Sequence, residues 1–386
     1  MKKNICVVTG TRAEYGLLKR LIFKLSDNIN FHTKIVATGM HLSPEFGLTY
    51  KEIEKDGLKI DEKIEILLSS DTPESISKSM GLTIISFSEY FKRTQPDLII
   101  ILGDRYEILS VCCAAMNARI PIAHLYGGET TEGAIDECIR HAITKMSYLH
   151  FTSTEKYRNR VIQLGENPDR VFNVGALGVE NILKTQLLLK SELEEQISFK
   201  LDKPYAVVTF HPVTLEENNV EYQFQQLLNA CSKYKDMKFI FTKANSDANG
   251  RIINYMIDKY VLENSNSVGF ESLGMLRYLS AVKYCSMVIG NSSSGIVEAP
   301  TFNIPTINIG NRQKGRLKVE TIIDCEAETN EIILSIDKAK SNEFQEITKN
   351  YINIFGDGNT SERISKIIQE FLLEEKINLN KEFYDL

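Results

Sequence analysis

The amino-acid sequence predicts an α/β protein of two lobes, each a parallel β-sheet covered by helices on both faces. Short continuous apolar runs alternate with segments of helical apolar spacing, and Asp97–Leu102 (DLIIIL) is the clearest such run. Continuous apolar strands between amphipathic helices are typical of parallel sheets that are buried on both faces. The alternation restarts after Lys203-Pro204, and a chain of 386 residues fits two or three domains.

The first lobe is predicted to cover residues 1–180. Its strands follow from apolar runs and its helices from apolar residues three or four positions apart, as at Leu18, Leu21 and Leu25. The predicted strands are Asn4–Thr9, Thr33–Thr38, Asp97–Leu102, Ile120–His124, Leu149–Thr152 and Val171–Val174. The predicted helices are Glu14–Leu25, Pro44–Asp56, Pro73–Arg93, Glu107–Asn117 and Ile135–Met146.

The second lobe is predicted to cover residues 204–358, after a charged helical segment at Leu183–Lys203. Its predicted strands are Tyr205–Phe210, Lys238–Thr242, Met287–Gly290 and Thr306–Ile309. Its predicted helices begin near Tyr222 and cover Arg251–Val261 and Ser272–Val282. A last helix near Ser361–Glu375, within residues 359–386, is expected to pack back on the first lobe.

The composition excludes several classes of function. A formal net charge of −6 provides no strongly basic surface, so nucleic acid is not an expected partner. No apolar run reaches the ~18 residues that span a bilayer, so membrane insertion is not expected either. None of the seven cysteines is spaced as C-x-x-C, and no cluster of histidine and cysteine has metal-ligand spacing. We therefore expect a cytoplasmic protein with reduced thiols and no bound metal.

The candidate binding residues follow the predicted strands. Ligands of open α/β sheets bind outside the carboxyl ends of the strands. The segments at these ends are nearly all glycine or polar: Gly10–Arg12, Gly39–His41, Gly103–Arg105, Gly127–Glu129, His211-Pro212, Asn245–Asp247, Gly290–Gly295 and Gly310–Arg316. Two lobes with such strand ends predict an active site in a cleft between the lobes.

The segment Gly290–Gly295 (GNSSSG) has the design of a phosphate cradle. Its glycines allow close backbone approach, its serines add hydroxyl donors, and the helix that follows adds free N–H groups. It is not a Walker A loop, and the alternative is a serine turn that caps the helix. Arg12 could reach a pyrophosphate, and His211 could contact phosphate or a glycosidic oxygen. A solvated arginine and a structural histidine are the alternatives, and the carboxylate of Glu298 better suits a ribose diol.

Carboxylates gather after strands of the first lobe. Asp104 follows the most buried strand, where its alternative role is to cap the next helix. Glu129 follows another strand end. Asp136 and Arg140 are four residues apart on one helix face and Glu137 is three before Arg140, a spacing that surface salt bridges also use. Clustered carboxylates push their pKa values apart, so one can act as an acid and another as a base.

Seven segments, taken in order, resemble a known family. They are TGTRAEYG (9–16), ATGMHLS (37–43), LGDRYE (102–107), GGETTEGAIDECIRHAITKMS (127–147), FHPVT (210–214), GNSSSGIVE (290–298) and NIGNRQKGR (308–316). The chain resembles the hydrolysing UDP-N-acetylglucosamine 2-epimerases of bacterial sialic-acid synthesis and the epimerase half of the animal bifunctional enzyme. The resemblance covers nearly the whole chain, to about Gly358.

The resemblance implies two Rossmann-like lobes of the GT-B type, with UDP mainly on the second lobe and the sugar directed at the first. It also implies a homodimer or homotetramer with no cofactor. The residues expected to bind UDP are Arg12, His211, Asn245, Asn291, Ser292, Ser293, Gly295, Glu298 and Arg312. The residues expected to act at the sugar are Asp104, Asp136, Glu137 and Arg140, with His41 nearby and with Glu129 added from its position.

The implied reaction converts UDP-N-acetylglucosamine and water to UDP and N-acetylmannosamine through a 2-acetamidoglucal. Tyr126 departs from the pattern, because the animal enzyme and the non-hydrolysing relatives carry glutamate there. Glu129 or Glu132 could take over its role as acid or base. The alternatives, in order, are the same reaction on UDP-2,4-diacetamido-2,4,6-trideoxyglucose, a non-hydrolysing epimerase, a glycosyltransferase and a non-catalytic UDP-sugar sensor.

Overall fold

A computed structural model describes the chain except for residues 1, 69–71, 131–134, 213–219, 244–249 and 375–377. The chain forms two compact units. The first unit contains residues 1–181 and 354–386, and the second contains residues 182–353. Within the described residues, no helix is long and apolar enough to cross a bilayer.

Strands and helices alternate along both units. The strands are β1 Lys3–Thr9, β2 Phe31–Thr38, β3 Glu62–Ile64, β4 Leu98–Leu102, β5 Ile122–Leu125, β6 Leu149–Thr152, β7 Val171–Asn173, β8 Tyr205–Thr209, β9 Lys238–Thr242, β10 Ser267–Phe270, β11 Met287–Gly290, β12 Thr306–Ile309 and β13 Ile322–Cys325. The helices are α1 Arg12–Ser26, α2 Tyr50–Lys55, α3 Pro73–Thr94, α4 Tyr106–Asn117, α5 Ile135–Met146, α6 Glu155–Gln163, α7 Leu177–Lys184, α8 Lys190–Ile197, α9 Val220–Cys231, α10 Gly250–Glu263, α11 Gly274–Tyr284, α12 Ser294–Thr301, α13 Thr329–Lys340, α14 Asn342–Asn350 and α15 Thr360–Glu374.

Each unit contains one parallel sheet, so the predicted fold class of two parallel-sheet α/β lobes is confirmed. The first sheet has seven strands in the order β3-β2-β1-β4-β5-β6-β7. The second has six, in the order β10-β9-β8-β11-β12-β13. The strand order reverses between β1 and β4 in the first sheet and between β8 and β11 in the second. Such reversal points open a crevice at the carboxyl ends of the two strands, where ligands of this architecture bind.

The central strand β4 shows why an apolar run becomes a parallel strand here. Leu98, Ile100 and Leu102 pack into the core on one face of the sheet. Ile99 and Ile101 pack into the core on the other face. Each fully buried side chain of this size contributes about 1.5–3 kcal/mol, which is why both faces need apolar residues.

Some elements differ from those the sequence predicts. The single helix predicted over Pro44–Asp56 is a one-turn 3-10 helix at Pro44–Phe46, a turn and then α2. The segment predicted as helical over Leu183–Lys203 contains the end of α7 and the separate helix α8. The strands β3, β10 and β13 and the helices α6, α13 and α14 lie where no element was predicted.

The units also begin and end at different residues from the predicted lobes. Leu193 and Ile197 of α8 are buried with Tyr205 in the core of the second unit, which therefore begins before residue 204. Ile364 and Phe371 of α15 are buried in the core of the first unit, against the same cluster as α1. The first unit is thus made of two separate stretches of chain.

Candidate active site

Arg140 is the centre of an ion-pair cluster in the first unit. It projects from α5, and only 4% of its side chain is exposed. Its Nη2 pairs with the carboxylate of Asp104, directly after β4. Its Nη1 donates to Glu137 Oε2 at 2.6 Å and to the carbonyl oxygen of Glu129 at 2.7 Å. One buried cation therefore joins three segments that each carry a candidate acid or base.

The guanidinium of Arg140 is positively charged. Burial alone would lower the pKa of Arg140, but the carboxylates of Asp104 and Glu137 outweigh burial and raise it. Charge-assisted hydrogen bonds of this kind are roughly twice as strong as neutral ones. Asp104 keeps 25% of its side chain exposed and Glu137 keeps 24%, so both carboxylates can still meet a ligand.

Two other residues predicted for the sugar end have different surroundings. Glu129 Oε1 accepts a hydrogen bond from Ser153 Oγ at 2.8 Å, at the end of β6. Asp136 lies in the first turn of α5 and is half-buried. Within the part of the chain that the structure describes, its side chain has no hydrogen-bond or ion-pair partner. Glu132 lies outside the described residues.

The alternative role for Asp104, capping the next helix, is wrong. Helix α4 begins at Tyr106, its N-cap residue is Arg105, and no side chain caps it. The Asp104 carboxylate is bound across the sheet edge to α5 instead. Its position at the reversal point of the first sheet is the position at which this architecture binds ligands.

His41 is completely buried, unlike the exposed histidine that contact with a sugar requires. It follows β2 in a 3-10 turn. Its Nε2 lies 3.0 Å from Thr9 Oγ1, and its Nδ1 lies 2.9 Å from Thr49 Oγ1. Burial lowers the pKa of His41 to about 4, so the ring is neutral at physiological pH. These contacts make His41 a link between the ends of β1 and β2.

Two buried carboxylates beside Gly10 were missed by the sequence reasoning. Glu14 Oε2 accepts a hydrogen bond from the Gly10 backbone N–H at 2.7 Å. Glu107 Oε1 accepts one from Arg105 Nε at 2.5 Å. Burial raises the pKa of Glu14 to about 7, and the nearby charge of Glu107 adds to the rise. Both residues belong to quoted motifs (TRAEYG and LGDRYE), but nothing in either motif shows that the carboxylate is buried.

Arg12, predicted to reach a pyrophosphate, is available for such a role. It is the first residue of α1, and 73% of its side chain is exposed. Its Nε pairs with Glu52 Oε1 at 3.0 Å. A surface pair of this kind is worth at most about 1 kcal/mol, so an anion can displace it readily. Arg12 belongs to the first unit, unlike the other residues predicted to bind UDP.

The reversal point of the second sheet is built from small polar residues. Gly290 ends β11 with φ +136°, and a Cβ there would overlap the carbonyl oxygen of Thr209 in β8. The next residue, Asn291, is buried. Its Oδ1 accepts from the backbone N–H of His211 at 2.7 Å, and its Nδ2 donates to the carbonyl of His211 at 2.8 Å. The Asn291 amide therefore holds His211 in place rather than offering itself to UDP.

The serines that follow are placed as an anion-binding turn requires. Ser293 is exposed at the N-cap position of α12, and its side chain does not cap the helix. Ser292 is half-buried, and its Oγ accepts from the backbone N–H of Ser294 at 3.3 Å. Gly295 lies in the first turn of α12. The backbone N–H groups of Ser294, Gly295 and Ile296 are bonded within the turn, so those left to an anion are the N–H groups of Ser292 and Ser293. Backbone N–H groups and hydroxyls at a helix N-terminus attract anions.

The remaining residues predicted to bind UDP surround this turn. Arg312 is exposed, and its Nη1 donates to the carbonyl of Asn291 at 3.1 Å. Gln313, which was not predicted, is buried and donates to the same carbonyl at 2.8 Å. Glu298 is half-buried in α12, and burial raises the pKa of its carboxyl. Asn245 lies outside the described residues.

The residues at the carboxyl ends of the strands differ between the two sheets in the chemistry that they can support. The edge of the first sheet presents carboxylates around a fixed guanidinium, which suits proton transfer and the stabilisation of developing charge. The edge of the second sheet presents backbone N–H groups and hydroxyls, which suits an anion. No group of three or more residues that could hold a metal ion is found within the described residues.

Comparison with known proteins gives the family. The sequence pattern of the family described as UDP-N-acetylglucosamine 2-epimerase matches residues 24–369. A GDP/UDP-N,N'-diacetylbacillosamine 2-epimerase (hydrolyzing) from Campylobacter jejuni is 47% identical over 89% of each chain. Polysialic acid biosynthesis protein P7 from Escherichia coli is 40% identical over 100% of this chain and 98% of its own. A UDP-N,N'-diacetylbacillosamine 2-epimerase (hydrolyzing) from Legionella pneumophila is 33% identical over 99% of each.

Solved structures show the same fold. The UDP-GlcNAc 2-epimerase from Neisseria meningitidis, bound to UDP-GlcNAc, aligns with a TM-score of 0.78 at 19% identity, over 95% of this chain and 100% of that one. Another UDP-N-acetylglucosamine 2-epimerase aligns with a TM-score of 0.79 at 16% identity, over 100% of both chains. The chain therefore belongs to the UDP-N-acetylglucosamine 2-epimerase family and is a UDP-sugar 2-epimerase.

Proposed function

We propose that this enzyme is a hydrolysing 2-epimerase. It converts a UDP-linked 2-acetamido sugar and water to UDP and the free sugar epimerised at C2. The observation that carries the proposal is the cluster of Asp104, Glu129 and Glu137 around the buried guanidinium of Arg140. Two relatives at 47% and 33% identity, both named as hydrolysing, support the same reaction class.

The chemistry of the sugar requires UDP to leave first or at the same time as the C2 proton. The C2–H bond is not acidic, because no carbonyl lies beside it. When the C1–O bond breaks, its electron pair leaves with UDP and C1 becomes electron-poor. A carboxylate then takes the C2 proton, and the C–H electrons form the C1=C2 double bond of a 2-acetamidoglucal.

Hydration completes the reaction. Water adds its oxygen to C1, and a proton returns to C2 on the opposite face, which inverts that centre. The proton that water loses goes to the carboxyl group that protonated C2. The proton taken earlier from C2 leaves with UDP or to solvent, so the enzyme regains its starting protonation state. Two carboxylates on different segments, such as Asp104 and Glu129, can serve the two faces of the sugar.

The other predicted residues would bind and stabilise UDP, the leaving group. The diphosphate would be held by the Ser292 and Ser293 turn, with Arg12 and His211 stabilising the charge that develops on departure. The Glu298 carboxylate would accept hydrogen bonds from the ribose diol. Gln313 and Asn291 would act indirectly, by holding the turn and His211.

We infer that UDP-N,N'-diacetylbacillosamine is the preferred substrate. This sugar is the 2,4-diacetamido-2,4,6-trideoxy sugar given above as the first alternative. One relative named as hydrolysing is named for its UDP-linked form and the other for its GDP- or UDP-linked form. UDP-N-acetylglucosamine, which the sequence analysis ranked first, is the second candidate. The family description and a 29% identical UDP-N-acetylglucosamine 2-epimerase from Neisseria meningitidis favour it.

The test is proton and phosphorus NMR of the enzyme in D2O with each UDP-sugar in turn. Free UDP together with a free 2-epimer that carries deuterium at C2 is the expected result, with the higher kcat/KM for the diacetamido sugar. A UDP-linked epimer would place the enzyme in the non-hydrolysing class. No reaction with either sugar would overturn the proposal.

A further inference from the structure

His124 is a buried histidine that the proposed mechanism does not use. It lies in β5, and its side chain has no exposed surface. It neighbours His150 of β6 in the parallel register of the first sheet. A polar ring that is buried in a sheet interior must find hydrogen-bond partners, and the partners of His124 are informative.

The first partner fixes the state of the ring. His124 Nε2 lies 2.9 Å from the carbonyl oxygen of Gly103. A carbonyl oxygen only accepts hydrogen bonds, so Nε2 must carry the proton. Gly103 directly precedes Asp104. The imidazole therefore holds the backbone segment from which the Asp104 carboxylate projects.

The second partner connects the ring to α5. His124 Nδ1 lies 3.3 Å from Thr144 Oγ1, and Thr144 Oγ1 lies 3.0 Å from the carbonyl oxygen of Arg140. In the neutral ring Nδ1 is an acceptor, so the single hydroxyl proton of Thr144 is shared between Nδ1 and the Arg140 carbonyl oxygen. The imidazole is therefore one hydrogen bond away from the helical turn that carries Arg140.

A third segment is placed by contact. A Cβ added to Gly127 would lie 3.2 Å from His124 Nδ1 and 3.2 Å from Thr144 Oγ1. Separations of this size are tighter than ordinary van der Waals contact, so no side chain fits between the backbone at Gly127 and the histidine–threonine pair. This backbone leads, two residues on, to Glu129.

We propose that His124 is a positioning residue for catalysis, whose neutral imidazole holds together the three segments that carry Asp104, Glu129 and Arg140. The inference rests on the proposed roles of those three residues. The side chain of His124 has no exposed surface, so its action passes through the backbone and Thr144.

The surroundings keep the ring in the required state. Burial lowers the pKa of His124 to about 3, against the hydrogen bond to Gly103, and the nearby rings of His150 and His141 and the charge of Arg140 lower it further. A protonated ring would present a donor at Nδ1 and would lose its acceptor there. Sub-ångström placement of catalytic groups is worth large factors in rate, so a loosened link should lower kcat.

The first test compares two isosteric substitutions. Thr144→Val removes the hydroxyl that links His124 to α5. Thr83→Val is the matched control, because Thr83 is equally buried and its hydroxyl also donates to the carbonyl four residues earlier in its helix. We expect Thr144→Val to lower kcat about tenfold with KM changed less than twofold, and Thr83→Val to leave kcat within twofold.

The second test addresses the ring itself. His124→Gln keeps an amide N–H that can reach the Gly103 carbonyl, whereas His124→Leu keeps no donor. We expect kcat to fall about tenfold for the glutamine variant and at least 100-fold for the leucine variant. Nitrogen-15 NMR of histidine-labelled enzyme should show one ring with its proton on Nε2 that does not titrate between pH 5 and pH 8.

The outcomes separate the two proposals. Should His124→Leu and Thr144→Val both keep normal kcat while Asp104→Asn abolishes turnover, the positioning role is wrong and the proposed function stands. Should Asp104→Asn keep turnover, the proposed catalytic roles fail and the inference fails with them. If His124→Leu does not fold, Thr144→Val against Thr83→Val still decides, and a ring that titrates near neutral pH overturns the inference independently.

Discussion

The two units share an architecture and differ in what stands at the reversal point of the sheet. In the first unit, Asp104 and Glu137 surround the buried guanidinium of Arg140. In the second, Gly290 and the serines after it present backbone N–H groups and hydroxyls, with hardly any charge in the turn itself. The parallel sheet fixes where a ligand can bind, while the side chains after each strand decide what is done to it.

On the proposed function, the first unit carries the chemistry at the sugar and the second unit carries most of the nucleotide binding. Turnover and UDP binding should then be separable by mutation. Substitutions at the first edge should lower turnover without weakening UDP binding. Substitutions in the serine turn of the second edge should weaken UDP binding without changing the chemical step at saturation.

Asp104→Asn should give the largest effect. The substitution keeps the shape of the side chain but removes its charge and its ability to take a proton. We expect kcat to fall about 1,000-fold, within the range of general acid–base catalysis, while the Kd for UDP changes less than about threefold. The measurements are UDP release for turnover and titration calorimetry for UDP.

Asp169→Asn is the control, because Asp169 is an exposed residue of the same unit. It should have wild-type kcat and UDP affinity. If Asp104→Asn lost as much UDP affinity as turnover, the proposed separation of roles between the two units would be wrong.

The buried carboxylate of Glu14 gives the next largest effect, on stability. Its pKa rises from 4.5 in the unfolded chain to about 7 in the folded protein. The folded state thus binds more protons between these values, so stability falls as pH rises from about 4.5 through 7. Glu14→Gln removes the titration, and its stability relative to wild type should increase by about 2 kcal/mol between pH 5.5 and pH 8.

Urea unfolding at the two pH values measures this difference. Glu89→Gln is the control, since Glu89 is exposed on α3. Its stability relative to wild type should be the same at both pH values. A pH-independent difference for Glu14→Gln would show that the Glu14 carboxyl is ionised throughout this range.

Replacing both Ser292 and Ser293 by alanine should have the smallest effect. Two hydrogen bonds from hydroxyls that water also reaches, at about 1 kcal/mol each, correspond to a tenfold to thirtyfold weaker Kd for UDP. The chemical step, measured as kcat at saturating substrate, should change less than about threefold. Titration calorimetry with UDP and steady-state kinetics check the two expectations.

Ser272→Ala is a matched control for the serine turn. Ser272 Oγ accepts the backbone N–H of Gly274 at 3.1 Å, the same contact that Ser292 makes with Ser294. If Ser272→Ala and the double serine variant lost equal UDP affinity, the loss would not be specific to the hydroxyls of Ser292 and Ser293. Unchanged affinity in the double variant would remove these hydroxyls from the proposed UDP site.

The central strands of both sheets could be predicted from the sequence, whereas most of the edge strands could not. β4 is a continuous apolar run because both of its faces are buried, and such runs are hard to mistake. β3 reads EKI and β13 reads IIDC, and each pairs with only one neighbouring strand at a sheet edge. Three or four residues with a charge among them carry no periodic signal, so these two edge strands were not predicted. The edge strand β7 was predicted, at Val171–Val174.

The sequence allowed the positions of the candidate site residues to be predicted, but not the contacts that their side chains make. Strand-end reasoning selected Asp104 and the serine turn, since the architecture makes those positions special, and the spacing of charges on a helix selected Arg140. It could not show that His41 is enclosed by threonines or that Asn291 is bound to the backbone of His211. Hydrogen bonds between residues 80 positions apart depend on the folded chain and leave no local pattern.

The composition of the first unit from two stretches of chain has a consequence for synthesis on the ribosome. Residues 182–353 emerge in full before residues 354–386, so the second unit can complete its core while the first still lacks Ile364 and Phe371 of α15. The unit translated first is therefore the last to finish folding. Its apolar surface against α1 stays uncovered for the time needed to translate the whole second unit.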